Sequence, residues 1–248
     1  MVQIQAYAES PNRSPLEERI IAGSGFVINP DGYIITNAHV VDCVQNYLAN
    51  INATNKNAFA AFAGEDYYDE QDNTHHRRRF SSTEYRIVDI DRLHDLALLK
   101  LAIPLKDLPY TGKLPIKVLS CALSLTTPEE GTPVAVSGYP LQIPSLVTQA
   151  GIVASNTFFD FKRIEAENKS VDYLLIDATI NPGNSGGPVY LPTTGEIVGV
   201  IAAYRTSPVI EKGAQNVEVS QNSGLAVVIP VKYIIQLLKK NDVAWQKN

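Results

Sequence analysis

Asn181-Pro182-Gly183-Asn184-Ser185-Gly186-Gly187-Pro188 decides how the rest of this chain is read. Two glycines follow a serine, and a third precedes it by two positions. Glycine permits a tight turn and removes the side chains that would shield the hydroxyl. Such a turn presents Ser185 Oγ outward and aims the N–H groups of Gly183 and Ser185 at one point, where an oxyanion can be held. A bare serine is a poor nucleophile; it needs a base beside it and a third group to hold that base. The stretch therefore demands a histidine and a carboxylate elsewhere.

Both lie upstream. His39 sits in Ile34-Ile35-Thr36-Asn37-Ala38-His39-Val40-Val41, at the end of a β-rich run. Asp95 sits in His94-Asp95-Leu96-Ala97-Leu98-Leu99-Lys100-Leu101, where a strand begins. Taken singly, a histidine after a strand is more often structural, and an aspartate before one usually caps it or faces solvent. Taken jointly, the order His…Asp…Ser is the one used by the chymotrypsin-like double barrel. His94 is the competing histidine. Side chains at successive strand positions point apart, so it is expected to face elsewhere.

The segments Thr-Asn-Ala-His, Asp-Leu-Ala-Leu-Leu-Lys and Gly-Asn-Ser-Gly-Gly-Pro resemble the trypsin-like serine peptidases, and most closely their HtrA (Deg) branch. Gly23-Ser24-Gly25-Phe26-Val27-Ile28, Gly138-Tyr139-Pro140 and Ser223-Gly224-Leu225-Ala226-Val227-Val228-Ile229-Pro230 are similar to that branch as well. The resemblance runs from about residue 20 to 230 and implies an all-β fold of two six-stranded antiparallel Greek-key barrels followed by a C-terminal helix. It implies a serine endopeptidase acting on polypeptides, with His39, Asp95 and Ser185 catalytic and the Gly183 and Ser185 amides as oxyanion hole. A catalytically silent peptide-binding module of the same fold is the alternative. Homo-oligomers, common in that family, are left open. HtrA proteins usually carry PDZ domains after the protease, for which this sequence leaves no room before Asn248.

By the same resemblance the S1 pocket is formed by Thr179 and Ile180 at its base, Ala202 to Tyr204 along one wall, and Gly224 and Ala226 opposite. None of these is acidic or histidine, so a small or medium aliphatic P1 residue is expected rather than a basic or acidic one. Tyr204 stands where glycine opens a deep pocket in other members. Asn184 stands where the digestive enzymes carry an aspartate that pairs with a freshly cut N-terminus, so no such activation is expected here.

Bulk properties agree with this picture. At 248 residues the length suits two barrels sharing a cleft, and 45% hydrophobic with 19% charged residues suits a globular chain with a sizeable core. A net charge of −5 gives no electrostatic reason to bind nucleic acid. No apolar run reaches the roughly 18 residues of a membrane span. Residues 1–14 are polar and lack the basic head and apolar middle of a secretory signal, which leaves the compartment undecided. Cys43 and Cys121 read as free, buried thiols, with a bridge as the alternative.

Along the chain, residues 1–103 read as the first barrel, 104–118 as a proline-bearing connector, 119–229 as the second barrel, and 230–248 as helix and tail. Ser14-Pro15-Leu16-Glu17 carries a helix-start signature. Residues 42–84 read as an insertion, because Asp95 follows His39 by 56 positions, a longer gap than the HtrA resemblance implies. Within it, 47–63 reads as helix then loop, and 66–79 as a solvated charged loop. Asp69, Glu70, Asp72, His75 and His76 lie close together there but match no metal-ligand spacing, so neither metal nor cofactor is expected. Leu191-Pro192-Thr193-Thr194-Gly195 matches a cell-wall sorting signal as text, yet its mid-domain place reads as a hairpin turn.

Overall fold

The computed structural model describes residues 1–9, 19–51, 55–62, 67–69, 74–76, 81–104, 121–143, 145–159, 171–211 and 217–246. Six strands close the first barrel in the order β1-β2-β3-β8-β7-β4. They are β1 (Val2–Glu9), β2 (Arg19–Val27), β3 (Tyr33–Thr36), β4 (Asn55–Phe62), β7 (Ser81–Asp91) and β8 (Leu96–Leu101). A separate two-stranded ribbon pairs β5 (Tyr67–Asp69) with β6 (Thr74–His76). The second barrel closes as β10-β11-β14-β13-β12-β9. Its strands are β9 (Pro133–Gly138), β10 (Val147–Phe159), β11 (Asp172–Asp177), β12 (Pro188–Tyr190), β13 (Ile197–Glu211) and β14 (Val217–Pro230). All pairings within both barrels are antiparallel, as the expected Greek-key fold requires.

Strand β8 shows why the sequence around Asp95 is so uniformly apolar. Alternate residues of a strand face opposite sides. Ala97, Leu99 and Leu101 point into the first barrel, whereas Leu96 and Leu98 join a second cluster between the barrels. Both faces are therefore covered, and Leu-Ala-Leu-Leu runs without a polar break. The inter-barrel cluster also takes Phe26, Ile35, Tyr173, Ile229, Ile234 and Leu238.

Among the described residues, two α-helices finish the fold. Helix α1 (Ala38–Asn50) follows β3 directly and buries Val40, Val41 and Val44 against the first barrel core. Helix α2 (Val231–Lys240) buries Val231, Tyr233, Ile234, Leu237 and Leu238, with Lys239 and Lys240 at the negative end of its dipole. Neither is long and apolar enough to cross a membrane.

Several expectations need correction. The span 42–84 is not an insertion throughout, since it holds most of α1 and the whole of barrel strand β4, which pairs with β1 and β7. The loop expected within 47–63 is largely that strand, with Phe59, Ala60 and Ala61 buried. The polar N-terminal stretch contains β1, whose Val2, Ile4, Ala6 and Ala8 alternate into the core. Cys43 is exposed on α1 and Cys121 half-buried; both are free. The Cys121 thiol, pushed up by burial, donates to Val27 O at 2.9 Å. The helix start at 14–17, Glu70 and Asp72, and most of the connector lie outside the described residues. Leu191–Gly195 does form the β12–β13 turn, closed by Gly195 N–H to Leu191 O at 2.8 Å.

Candidate active site

His39 is the second residue of α1, and Asp95 ends the four-residue turn between β7 and β8. The first N–H groups of a helix have no partner inside it. Asp95 supplies one from another part of the barrel: its Oδ1 accepts the His39 N–H at 3.0 Å, and its backbone oxygen accepts Ala38 N–H at 3.2 Å. Asn37, at the N-cap position, makes no side-chain cap and instead donates Nδ2 to the same Asp95 backbone oxygen at 3.0 Å. The carboxylate thus sits at the positive end of the helix dipole. Its Oδ2 lies 2.8 Å from His39 Nδ1, so Nδ1 carries the proton and Nε2 is left as the acceptor. Asp95 takes φ +53° to do this. Arg92, three residues earlier, forks onto Asp42 of α1 at 2.6 and 3.0 Å, and this bond holds the Asp42 carboxyl below its ordinary value.

Ser185 lies in the turn between β11 and β12. Gly183 and Gly186 there have φ of +100° and +83°. The turn is locked by Asn184 N–H to Asn181 O (3.1 Å), Gly187 N–H to Asn184 O (2.8 Å) and Gly186 N–H to Ile201 O (2.9 Å). Pro182 O accepts Leu141 N–H at 2.7 Å. Because the peptide is trans, the Gly183 N–H points the opposite way, away from the 139–141 segment. Neither the Gly183 nor the Ser185 N–H is spent on a bond within the turn.

The link between the two halves was not anticipated from sequence. Ser24 of β2 is fully buried and touches the Ser185 turn twice and Tyr139 once. Its N–H donates to Ser185 O (2.8 Å), its Oγ donates to Gly183 O (2.6 Å), and that Oγ accepts Tyr139 N–H (2.9 Å). Ser24 O accepts Thr36 Oγ1 at 2.7 Å, on the segment leading to His39. The signal was the Gly-Ser-Gly spacing inside a strand, which marks close backbone approach. A Cβ on Gly23 would stand 2.7 Å from Val40 Cγ2 and 2.9 Å from Ser185 O, so the helix bearing His39 and the turn bearing Ser185 press on the same glycine.

The structure therefore joins His39 to Asp95 and brings the Ser185 turn against the same corner. No hydrogen bond joins Ser185 to His39; Ser185 Oγ donates instead to Ala202 O at 3.4 Å. His94 is turned away, as expected, but for a different reason. It sits in the turn rather than on β8, with Nδ1 2.6 Å from Asp91 Oδ2. Of the residues expected to line S1, Thr179 is exposed and Ala202 half-buried. Ile180 and Ala226 are buried in the second barrel core, with Tyr204 packed against that cluster. Gly224 takes φ +84° and accepts Ala178 N–H at 2.9 Å. Leu141, bonded to the turn through its N–H, exposes its apolar side chain, as do Ile143 and Leu146 further along the same segment.

Two closed antiparallel barrels, with a glycine-flanked serine in one and a carboxylate-held histidine in the other, define the chymotrypsin-like class of folds. The family model for the trypsin-like peptidase domain matches residues 23–200, and the chain belongs to that family. It is 33% identical over 187 residues to serine protease HTRA1A of Danio rerio, covering 75% of this chain and 31% of that protein. It is 28% identical over 218 residues to mitochondrial serine protease HTRA2 of Drosophila grimshawi, covering 88% and 38%. The chain thus spans about a third of the length of these curated relatives. The serine endoprotease from Yersinia pestis shares the fold, with a TM-score of 0.53 at 23% identity over 96% of this chain and 61% of that one.

Proposed function

We propose that this chain is a serine endopeptidase that hydrolyses peptide bonds in polypeptides through His39, Asp95 and Ser185. The supporting observation is the double grip of one carboxylate on both the backbone N–H and Nδ1 of His39. It leaves Nε2 as the one base able to take a proton. Ser185 Oγ attacks the scissile carbonyl while Nε2 accepts its proton, then returns that proton to the leaving amine. Asp95 stays ionised and steadies the imidazolium. The oxyanion lies between the Gly183 and Ser185 N–H groups, each such donor being worth about 10²–10³ in rate. Water then repeats the sequence on the acyl-enzyme. To begin, the Ser185 hydroxyl leaves Ala202 O, a bond whose 3.4 Å length makes it weak.

The side chains assigned to S1 support a small or medium aliphatic P1 residue: they carry no charge, and Tyr204 packs against the cluster that holds Ile180 and Ala226. The same Ser185–Ala202 bond favours a second reading, a peptide-binding module that does not cut. Labelling with a fluorophosphonate probe, wild type beside Ser185→Ala, separates the two. The peptidase reading expects labelling that Ser185→Ala abolishes, and cleavage of a peptide library after aliphatic residues. An unlabelled wild type establishes the binding module.

A further inference from the structure

One of the histidines that the catalytic reading leaves over, His94, is held on two sides. His94 precedes Asp95 in the turn from β7 to β8. Asp91, at the start of that turn, accepts both its N–H (3.2 Å) and its Nδ1 (2.6 Å). The imidazole then stacks on the Tyr233 ring of α2, with centroids 3.8 Å apart and planes 22° from parallel. Tyr233 is anchored in its turn. Its hydroxyl donates to Asp172 on β11, and Lys232 reaches the same carboxylate at 2.5 Å. At the far end of α2, Lys240 and Asn241 grip Asp89 of β7 at 2.8 and 2.9 Å. Helix α2 is therefore fastened to the second barrel through Asp172 and to the first through Asp89 and His94.

That fastening matters because Asp95 stands in a left-handed conformation that non-glycine residues seldom adopt. Such a conformation persists only where its surroundings over-determine it. His94 is its immediate neighbour and is nearly buried, with no contact to Ser185 or His39, so it cannot act on substrate directly. We propose that His94, held between Asp91 and Tyr233, is a positioning residue that keeps the Asp95 carboxylate on His39, with α2 as the strut behind it. This rests on the peptidase reading above.

The test uses the full chain and compares single changes with the same changes in an Asp95→Ala background. His94→Ala and Tyr233→Leu are expected to lower kcat about tenfold or more, with KM within twofold, in protein that still melts cooperatively. His94→Asn keeps a nitrogen donor for Asp91 and recovers most of the kcat. The decisive readout is the fluorophosphonate labelling rate with Asp95→Ala already present: there His94→Ala and Tyr233→Leu change nothing, because the group they position is gone. A residue that merely stabilises the fold would lower labelling in both backgrounds, which overturns the proposal. So does folded His94→Ala, or folded Tyr233→Leu where the former does not fold, with kcat within twofold of wild type. A wild type that neither labels nor cleaves refutes the peptidase reading itself, and the proposal with it.

Discussion

Gly186→Ala isolates the close approach of the two barrels beneath Ser185. Two glycines of the second barrel share a left-handed backbone but differ in surroundings. Gly195, in the β12–β13 turn, has φ +73° and nothing within 4 Å of a built Cβ. Gly186 has φ +83°, and its Cβ would stand 2.1 Å from Ser24 O and 2.4 Å from Thr36 Oγ1. Alanine at 195 carries only the cost of a left-handed L-residue, about 1–2 kcal/mol. Alanine at 186 carries the same cost and must also push a backbone oxygen outward by roughly 0.9 Å to reach the 3.0 Å floor of real contacts. Overpacking of that kind adds about 1–3 kcal/mol. Movement at Ser24 also strains its bonds to Ser185 O and Gly183 O, and leaving a buried partner unmet costs about 1–3 kcal/mol more. Gly186→Ala is thus expected to destabilise by about 3–8 kcal/mol, a large share of the 5–15 kcal/mol typical of a domain. Urea unfolding followed by circular dichroism measures both variants. If the two lie within about 1 kcal/mol of each other, the close approach has been misjudged.

Four further outcomes follow from the same geometry. Asp95→Asn should lower kcat/KM by about 10⁴, as in the Ser-His-Asp template, whereas Asp95→Ala also loses an acceptor at the α1 N-terminus and about 1 kcal/mol of stability in urea titration. Ser24→Ala strands Gly183 O and Tyr139 N–H, and should cost about 1–3 kcal/mol in the same titration while slowing fluorophosphonate labelling of Ser185. Burial works to raise the Asp172 carboxyl, but Lys232 and the Tyr233 hydroxyl outweigh it and hold it below its ordinary 3.8. That contribution is complete above pH 3.8 and lost as pH falls through the lower folded value, so thermal melts below about pH 3.8 should fall less steeply for Asp172→Asn than for wild type. Tyr204→Gly should shift peptide-library cleavage toward aromatic P1 residues; an unchanged profile removes Tyr204 from the pocket.

What the sequence disclosed followed from local pattern. The unbroken apolar runs of β3 and β8 mark strands covered on both faces, the segment after residue 230 reads as a helix, and the structure places elements there. Strand β1 alternates apolar and polar residues from Val2 to Ala6, a strand signal passed over when residues 1–14 are read only for a secretory signal; Gln3 and Gln5 are buried and hydrogen-bonded to each other. Strand β4 was hidden by its alanines and asparagines, poor strand formers that only closure between β1 and β7 holds in register. At the site, the motif residues were legible because glycine and serine spacing states a backbone requirement. The brace at Ser24 was not, since the bond from its Oγ spans 159 positions and no local pattern encodes its partner. The Ser185–Ala202 contact was equally hidden: the rotamer of one hydroxyl leaves no trace in composition or spacing.

The brace also bears on how such a chain is made. Ser24 emerges from the ribosome early, while the loop it shapes is synthesised more than a hundred residues later. Until the two halves have docked, Gly183 O and Ser185 O lack the bonds that Ser24 supplies. On the peptidase reading, a partly synthesised copy is consequently inert toward its own unfolded length and toward neighbouring growing chains. Cutting power arrives only when the molecule has become its own poorest substrate.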